Sequence, residues 1–111
     1  MKPAPFTYFS PTTLDETLAL LAEHGEAGKI IAGGQSLVPT MNFRLAQPAS
    51  LIDINHVGEL FFLNELPGGG LQIGAMTRQR TLEQSPLVAE RCPLLAATLP
   101  YVAHVQIRNR G

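Results

Sequence analysis

The chain is short of the residues on which several chemistries depend. Among its 111 residues there is one cysteine, Cys92, no tryptophan, two tyrosines and five phenylalanines. A single cysteine excludes an intramolecular disulfide, and it excludes an iron–sulfur cluster or structural zinc held by these residues alone, since each needs several thiolate or imidazole ligands. Redox metal, if involved, has to come from a partner. Two tyrosines are too few for the stacking platform that single-stranded nucleic acid requires. His24, His56 and His104 form no H-x-x-H or H-x-x-x-H pair, so metal ligation has no support and each reads as a cap, a loop residue or a packed ring. No basic segment followed by an apolar run opens the sequence, and no apolar stretch reaches the ~20 residues of a membrane span. The expectation is a cytoplasmic protein.

Charge is also scarce. Charged residues make up 15% of the chain and the formal net charge is −1, which argues against a nucleic-acid scaffold. The balance is uneven: residues 1–77 carry three cations against seven acids, and residues 78–111 carry five arginines against Glu83 and Glu90. The basic C-terminal third reads as a solvated surface or a partner-facing edge. Arg108 and Arg110, near the chain end, read as solvated, with a phosphate or partner carboxylate as the alternative.

What is present is a 45% hydrophobic content spread along the chain, as in one small soluble domain. Pro3 to Pro11 reads as an extended entry. Thr13 and Glu16 form a capping box, and Leu14, Leu18 and Leu21 then repeat at helical spacing up to a stop at Gly25. Lys29 to Ala32 is a short apolar strand that runs into Gly33-Gly34. Ser36 is placed to cap a second helix carrying Leu37, Met41 and Leu45 on one face. Leu51, Ile52 and Ile54 around Asp53 make a second buried strand, and a crossover helix would set the two strands parallel. Asp53 reads as an acceptor for backbone amides in the following turn.

The character changes after Asn55. Leu60 to Leu66 and Leu71 to Ala75, separated by Pro67-Gly68-Gly69-Gly70, read as a β-hairpin. A segment Thr77 to Gln84, a helix starting at Ser85-Pro86, and an apolar helix from Pro93 to Ala103 broken or kinked at Pro100 complete the chain. Cys92 reads as small buried filler. Domain boundaries follow as 1–55 and 56–111.

The sharpest feature is Ile30-Ile31-Ala32-Gly33-Gly34-Gln35-Ser36-Leu37. A strand that delivers glycines to a helix start leaves several backbone N–H groups without partners, at the positive end of the helix dipole. An anionic group such as a pyrophosphate suits that spot, and glycine lets it approach the backbone. Neither the lysine of a P-loop nor the third glycine of the dinucleotide fingerprint is present, so a purely structural strand-to-helix turn stays open beside an anion site.

This turn, its continuation through Met41-Asn42-Phe43-Arg44-Leu45, the strand Leu51-Ile52-Asp53-Ile54, the run Ile73-Gly74-Ala75-Met76-Thr77 and the C-terminal Val102 to Gly111 together resemble the FAD-binding medium subunit of the molybdenum hydroxylases. That family includes the carbon monoxide dehydrogenase medium subunit and the xanthine dehydrogenase flavin domain. The resemblance implies an α+β, PCMH-type FAD-binding fold. A small parallel β-α-β subdomain comes first, then part of a mainly antiparallel α+β subdomain. It implies FAD as cofactor, with Ile30 to Leu37 as the first pyrophosphate loop and Val102 and Ala103 near the flavin. Gln35 stands where some relatives have histidine and offers no imidazole for covalent attachment, so the cofactor is expected to be dissociable.

The implied partners are an iron–sulfur small subunit and a molybdopterin large subunit, with electrons passing from the clusters through FAD to an acceptor. No residue of this chain is assigned substrate chemistry. In the family the C-terminal stretch leads into a second glycine motif, so the chain is expected to be an N-terminal fragment holding half of a clamp. The alternative is a cofactor-free remnant that folds or self-associates through exposed apolar surface. A flavin oxidase acting alone is a third reading, against which the missing substrate domain counts.

Overall fold

A computed structural model describes residues 1–111, and the chain divides into two compact units, residues 1–59 and 60–111. In the first, a three-stranded parallel sheet is built from β1 (Thr7–Phe9), β2 (Gly28–Ile31) and β3 (Ser50–Asp53), in the order β1-β3-β2. Tyr8 is in register with Leu51 across one side of β3, and Ile30 with Ile52 across the other. Being central, β3 is covered on both faces: Leu51 and Ile52, which point to opposite faces, are both buried, which is why they are both apolar and do not alternate with polar residues. Ile54, Val57 and Met41 extend this core. The expected parallel pairing of the two apolar strands holds. The entry segment adds the third strand, its short length and prolines having concealed the pairing.

Helix α1 (Leu14–His24) packs on β2 and β3. Thr13 caps it by accepting the Glu16 N–H, but the Glu16 carboxylate reaches back to the Thr12 N–H, one residue before the cap. The inward face is not the expected leucine stripe. Thr17 is buried with its hydroxyl donated to the Thr13 carbonyl, while Leu18 is 54% exposed. The face centred on Leu14, Thr17, Leu21 and His24 satisfies the same spacing and brings the His24 ring onto Phe9, at a centroid distance of 4.7 Å. Helix α2 (Leu37–Asn42) is only six residues long. It ends at Phe43 because Arg44 turns left-handed at φ 57°, leaving Leu45 outside the helix and 82% exposed rather than on its apolar face.

In the second unit, β4 (Leu63–Glu65) and β5 (Leu71–Ile73) form the expected antiparallel hairpin, its turn made by Gly68 and Gly69 at φ 92° and 98°. The pairing continues past the strands through Gly74 N–H to the Phe62 carbonyl and Met76 N–H to the Leu60 carbonyl. Gly74 and Met76 are the buried positions there, while Ile73 and Ala75 are exposed. Short helices α3 (Gln79–Glu83), α4 (Pro86–Arg91), α5 (Pro93–Thr98) and α6 (Val105–Arg110) follow. Ser85 caps α4 through the Val88 N–H, with Pro86 in the first turn as expected. Leu82, Val88 and Leu99 form the core, with Leu63, Leu71, Leu95 and Ala96 against it.

The expected buried helix from Pro93 to Ala103 is corrected. Helix α5 has no fully buried residue and Leu94 is 76% exposed, whereas the break at Pro100 is present as expected, in a 3-10 turn at Leu99–Tyr101. Cys92 caps α4 and opens α5, half-buried rather than fully so.

Candidate cofactor site

The strand β2 ends at Ile31, whose carbonyl accepts the Ile54 N–H at 3.1 Å. The chain then bends through Ala32, Gly33 and Gly34, with Gly34 at φ 75°. A Cβ on Gly34 would lie 3.2 Å from the Val38 side chain and 3.3 Å from that of Ile31, so both the backbone conformation and the space call for glycine there. The carbonyls of Gly34 and Ser36 are taken by the first turn of α2, accepting from Val38 and Thr40. No backbone N–H from residues 32–37 donates to another group of the chain. The result is a run of polarised donors at a half-exposed bend, which accepts an anionic ligand more readily than a neutral one.

Two details differ from expectation. Ser36 lies in helical conformation and its hydroxyl makes no capping bond, so it does not cap α2 as expected. The Gln35 amide folds back on the Gly33 carbonyl at 3.4 Å. Ile30 is exposed on the edge strand, Ile31, Ala32 and Leu37 are half-buried, and Gln35 and Ser36 are exposed.

The bend is anchored from behind. Asn55 donates its side-chain amide to the Ala32 carbonyl at 2.8 Å and to Asp53 Oδ1 at 2.6 Å, and its backbone N–H reaches the same oxygen at 2.9 Å. The Tyr8 hydroxyl donates to Asp53 Oδ2. Partial burial pushes the Asp53 carboxyl up, but the bonds from Tyr8 and Asn55 and the charge of His56 outweigh it and hold the group below the usual carboxylate range. The Tyr8 phenol is correspondingly raised, chiefly by donating to that carboxylate. Asp53 does accept a backbone amide from the following turn, as expected. Its link through Asn55 to the glycine bend was not anticipated; an Asp-x-Asn at the end of a parallel strand is the sequence signal for it.

In the second unit, Val102 is 37% exposed, and Ala103 is exposed and held left-handed at φ 45°, just before His104 opens α6. This conformation is kept by Arg108, which is 5% exposed, contrary to the expectation of a solvated chain end. Its guanidinium donates to the Val102 carbonyl at 2.7 Å, the Pro100 carbonyl at 3.3 Å and Glu83 Oε2 at 2.9 Å. The Arg108 guanidinium, with Arg80 at 3.1 Å, holds the Glu83 carboxyl below its ordinary value against the opposing effect of desolvation. Arg110 is exposed. The sequence does not separate the two arginines, because burial here depends on the helix face that α6 turns inward.

The histidines take structural places. His24 stacks on Phe9, the Nδ1 of His56 lies 3.0 Å from the Ser10 hydroxyl, and that of His104 lies 2.8 Å from the Gln106 amide oxygen. No group of three His, Cys, Asp or Glu residues is placed to hold a metal ion.

A parallel sheet ending in a glycine bend lined with unpaired amides, followed by a hairpin with short helices, defines an α+β domain that presents backbone donors. The family model for the FAD binding domain in molybdopterin dehydrogenase matches residues 4–111, and the chain belongs to that family. It is 46% identical to the carbon monoxide dehydrogenase medium chain of Hydrogenophaga pseudoflava, covering 100% of this chain and 38% of that one. It is 43% identical to the caffeine dehydrogenase subunit beta of Pseudomonas sp. (strain CBB1), covering 100% of this chain and 37% of that one. Among solved structures it matches the Hydrogenophaga pseudoflava carbon monoxide dehydrogenase with a TM-score of 0.96 at 45% identity, over 100% of this chain and 38% of that chain. Quinoline 2-oxidoreductase from Pseudomonas putida 86 matches with a TM-score of 0.93 at 41% identity, again over 100% and 38%. The chain thus spans little more than a third of the relatives' length.

Proposed function

We propose that this chain is the N-terminal part of the flavin-binding subunit of a molybdopterin-dependent dehydrogenase. In such an enzyme electrons pass from iron–sulfur clusters of a partner subunit, by way of FAD, to an acceptor, and a molybdopterin subunit carries the substrate chemistry. The observation that carries this reading is the family match over residues 4–111, joined to a bend in which the amides of residues 32–37 have no acceptor within the chain. A diphosphate supplies the acceptors that those amides lack, so the residues present fit the cofactor.

On this reading Ala32, Gly33, Gly34, Gln35, Ser36 and Leu37 form the phosphate-facing turn. Ile30 and Ile31 aim it from the strand, and Val102 and Ala103 lie near the flavin. FAD, when bound, supplies a centre able to exchange one or two electrons; the protein's part is to hold and orient it. Gln35 has no imidazole to form a covalent link, so the cofactor is released on denaturation. Large exposed side chains, Phe43 at 62% and Leu45 at 82% among them, favour a second reading, a cofactor-free domain that self-associates.

The test is FAD titration of the complete purified subunit, followed by its visible absorption, in wild type and Gly34→Val. Wild type is expected to bind, and the substitution to weaken binding at least tenfold, since valine is strained at φ 75° and crowds Val38. A colourless wild type that sediments as an oligomer and ignores added FAD supports the second reading.

A further inference from the structure

The contacts behind the glycine bend run in one unbroken line: the Tyr8 hydroxyl on β1, the Asp53 carboxylate at the end of β3, the Asn55 side-chain amide, and the Ala32 carbonyl. Each link has only one chemically sensible direction. An ionised carboxylate and a backbone carbonyl can only accept, so the two hydrogens of the Asn55 amide point to them and the side chain has a single orientation. Asp53 in turn receives three donors, two from Asn55 and one from Tyr8.

The Ala32 carbonyl and the Gly33 N–H belong to one peptide plane. All peptide bonds of the chain are trans, so these two groups point in opposite directions. Holding the carbonyl back toward Asn55 therefore aims the Gly33 N–H away from Asn55. It also sets the starting direction from which Gly34, at φ 75°, carries the remaining amides round the bend.

We propose that Asp53 and Asn55 are positioning residues for the phosphate-facing turn. Asp53 locks the Asn55 amide, and Asn55 grips the Ala32 carbonyl so that the amides of residues 33–36 are aimed before any ligand arrives. The inference rests on the cofactor role proposed above for that turn. Donors fixed in advance lose less entropy on binding than donors that must be gathered, so the strap acts on affinity without touching the ligand.

The test uses the complete purified subunit. Dissociation constants are measured for FAD directly and for ADP by competition, ADP keeping the diphosphate and lacking the flavin. Asn55→Ala is expected to weaken both by roughly tenfold, about the worth of one well-placed hydrogen bond. Unchanged affinity for both overturns the inference, as does a loss for FAD that ADP does not share, since the effect then lies away from the diphosphate.

Tyr8→Phe serves where Asn55→Ala does not fold. Its exposed phenol leaves the turn's own residues intact, a two- to threefold loss for both ligands supports the strap, and none overturns it. Gly34→Val separates the two proposals. A loss with Gly34→Val but none with Asn55→Ala rejects the positioning role alone, whereas wild-type affinity in both rejects the cofactor role of the turn.

Discussion

Single side chains here are governed by which acceptors and donors the fold brings within reach. Asp53 shows the principle in a titratable form. Its folded pKa is depressed, so the stability it contributes is present above the unfolded carboxylate value and is lost as pH falls through the lower folded value. Asp53→Asn should therefore lower the unfolding temperature at pH 7, and the gap to wild type should close as the pH drops below about 4, which a pH series of thermal melts reads directly. Ala103 offers the opposite case, a residue whose backbone is strained at φ 45°. Ala103→Gly is expected to raise stability by about 0.5–1 kcal/mol, measured by denaturant unfolding, because glycine adopts that conformation without a Cβ penalty.

Elements in this chain are short, and their ends are set by close packing more than by propensity. Gly74 continues the hairpin beyond β5, and a Cβ there would strike the Leu60 carbonyl and approach the Phe62 nitrogen at 2.8 Å. Backbone cannot give way as a side chain can, so Gly74→Ala should cost about 2–4 kcal/mol in denaturant unfolding. Helix α6 is tied to the turn before it by the Arg108 guanidinium. Arg108→Met should cost at least one charge-assisted hydrogen bond, roughly 1.5–3 kcal/mol, and should speed amide exchange through residues 100–104. A larger effect on α4 than on that turn would contradict the role given to Arg108.

At the scale of the whole chain, two units of 59 and 52 residues each carry their own core, and the family match runs across both. Binding should be visible as stability. If FAD binds the native state alone, a hundredfold excess over its dissociation constant adds about 2.7 kcal/mol to unfolding, a shift that thermal melts with and without FAD would report. The absence of any shift in the complete subunit would argue for the cofactor-free reading.

Much of this was legible in the residues themselves. The Thr13 cap, the Ser85-Pro86 start, the glycine hairpin and the two apolar strands depend on contacts within a few positions, where spacing and residue type suffice. The parallel relation of β2 and β3 also followed, because a short helix between two apolar runs leaves little choice. The glycine bend was visible for the same reason, as a local run. Which leucine of α1 faces inward, where α2 stops, and which of two arginines is buried depended on partners more than 20 residues away or on a left-handed residue that no pattern announces. The strap from Tyr8 to Ala32 is of this second kind. Its members are 45, 2 and 23 residues apart, and only the pairing of three parallel strands brings their ends together, because a parallel sheet gathers the C-terminal ends of its strands on one edge.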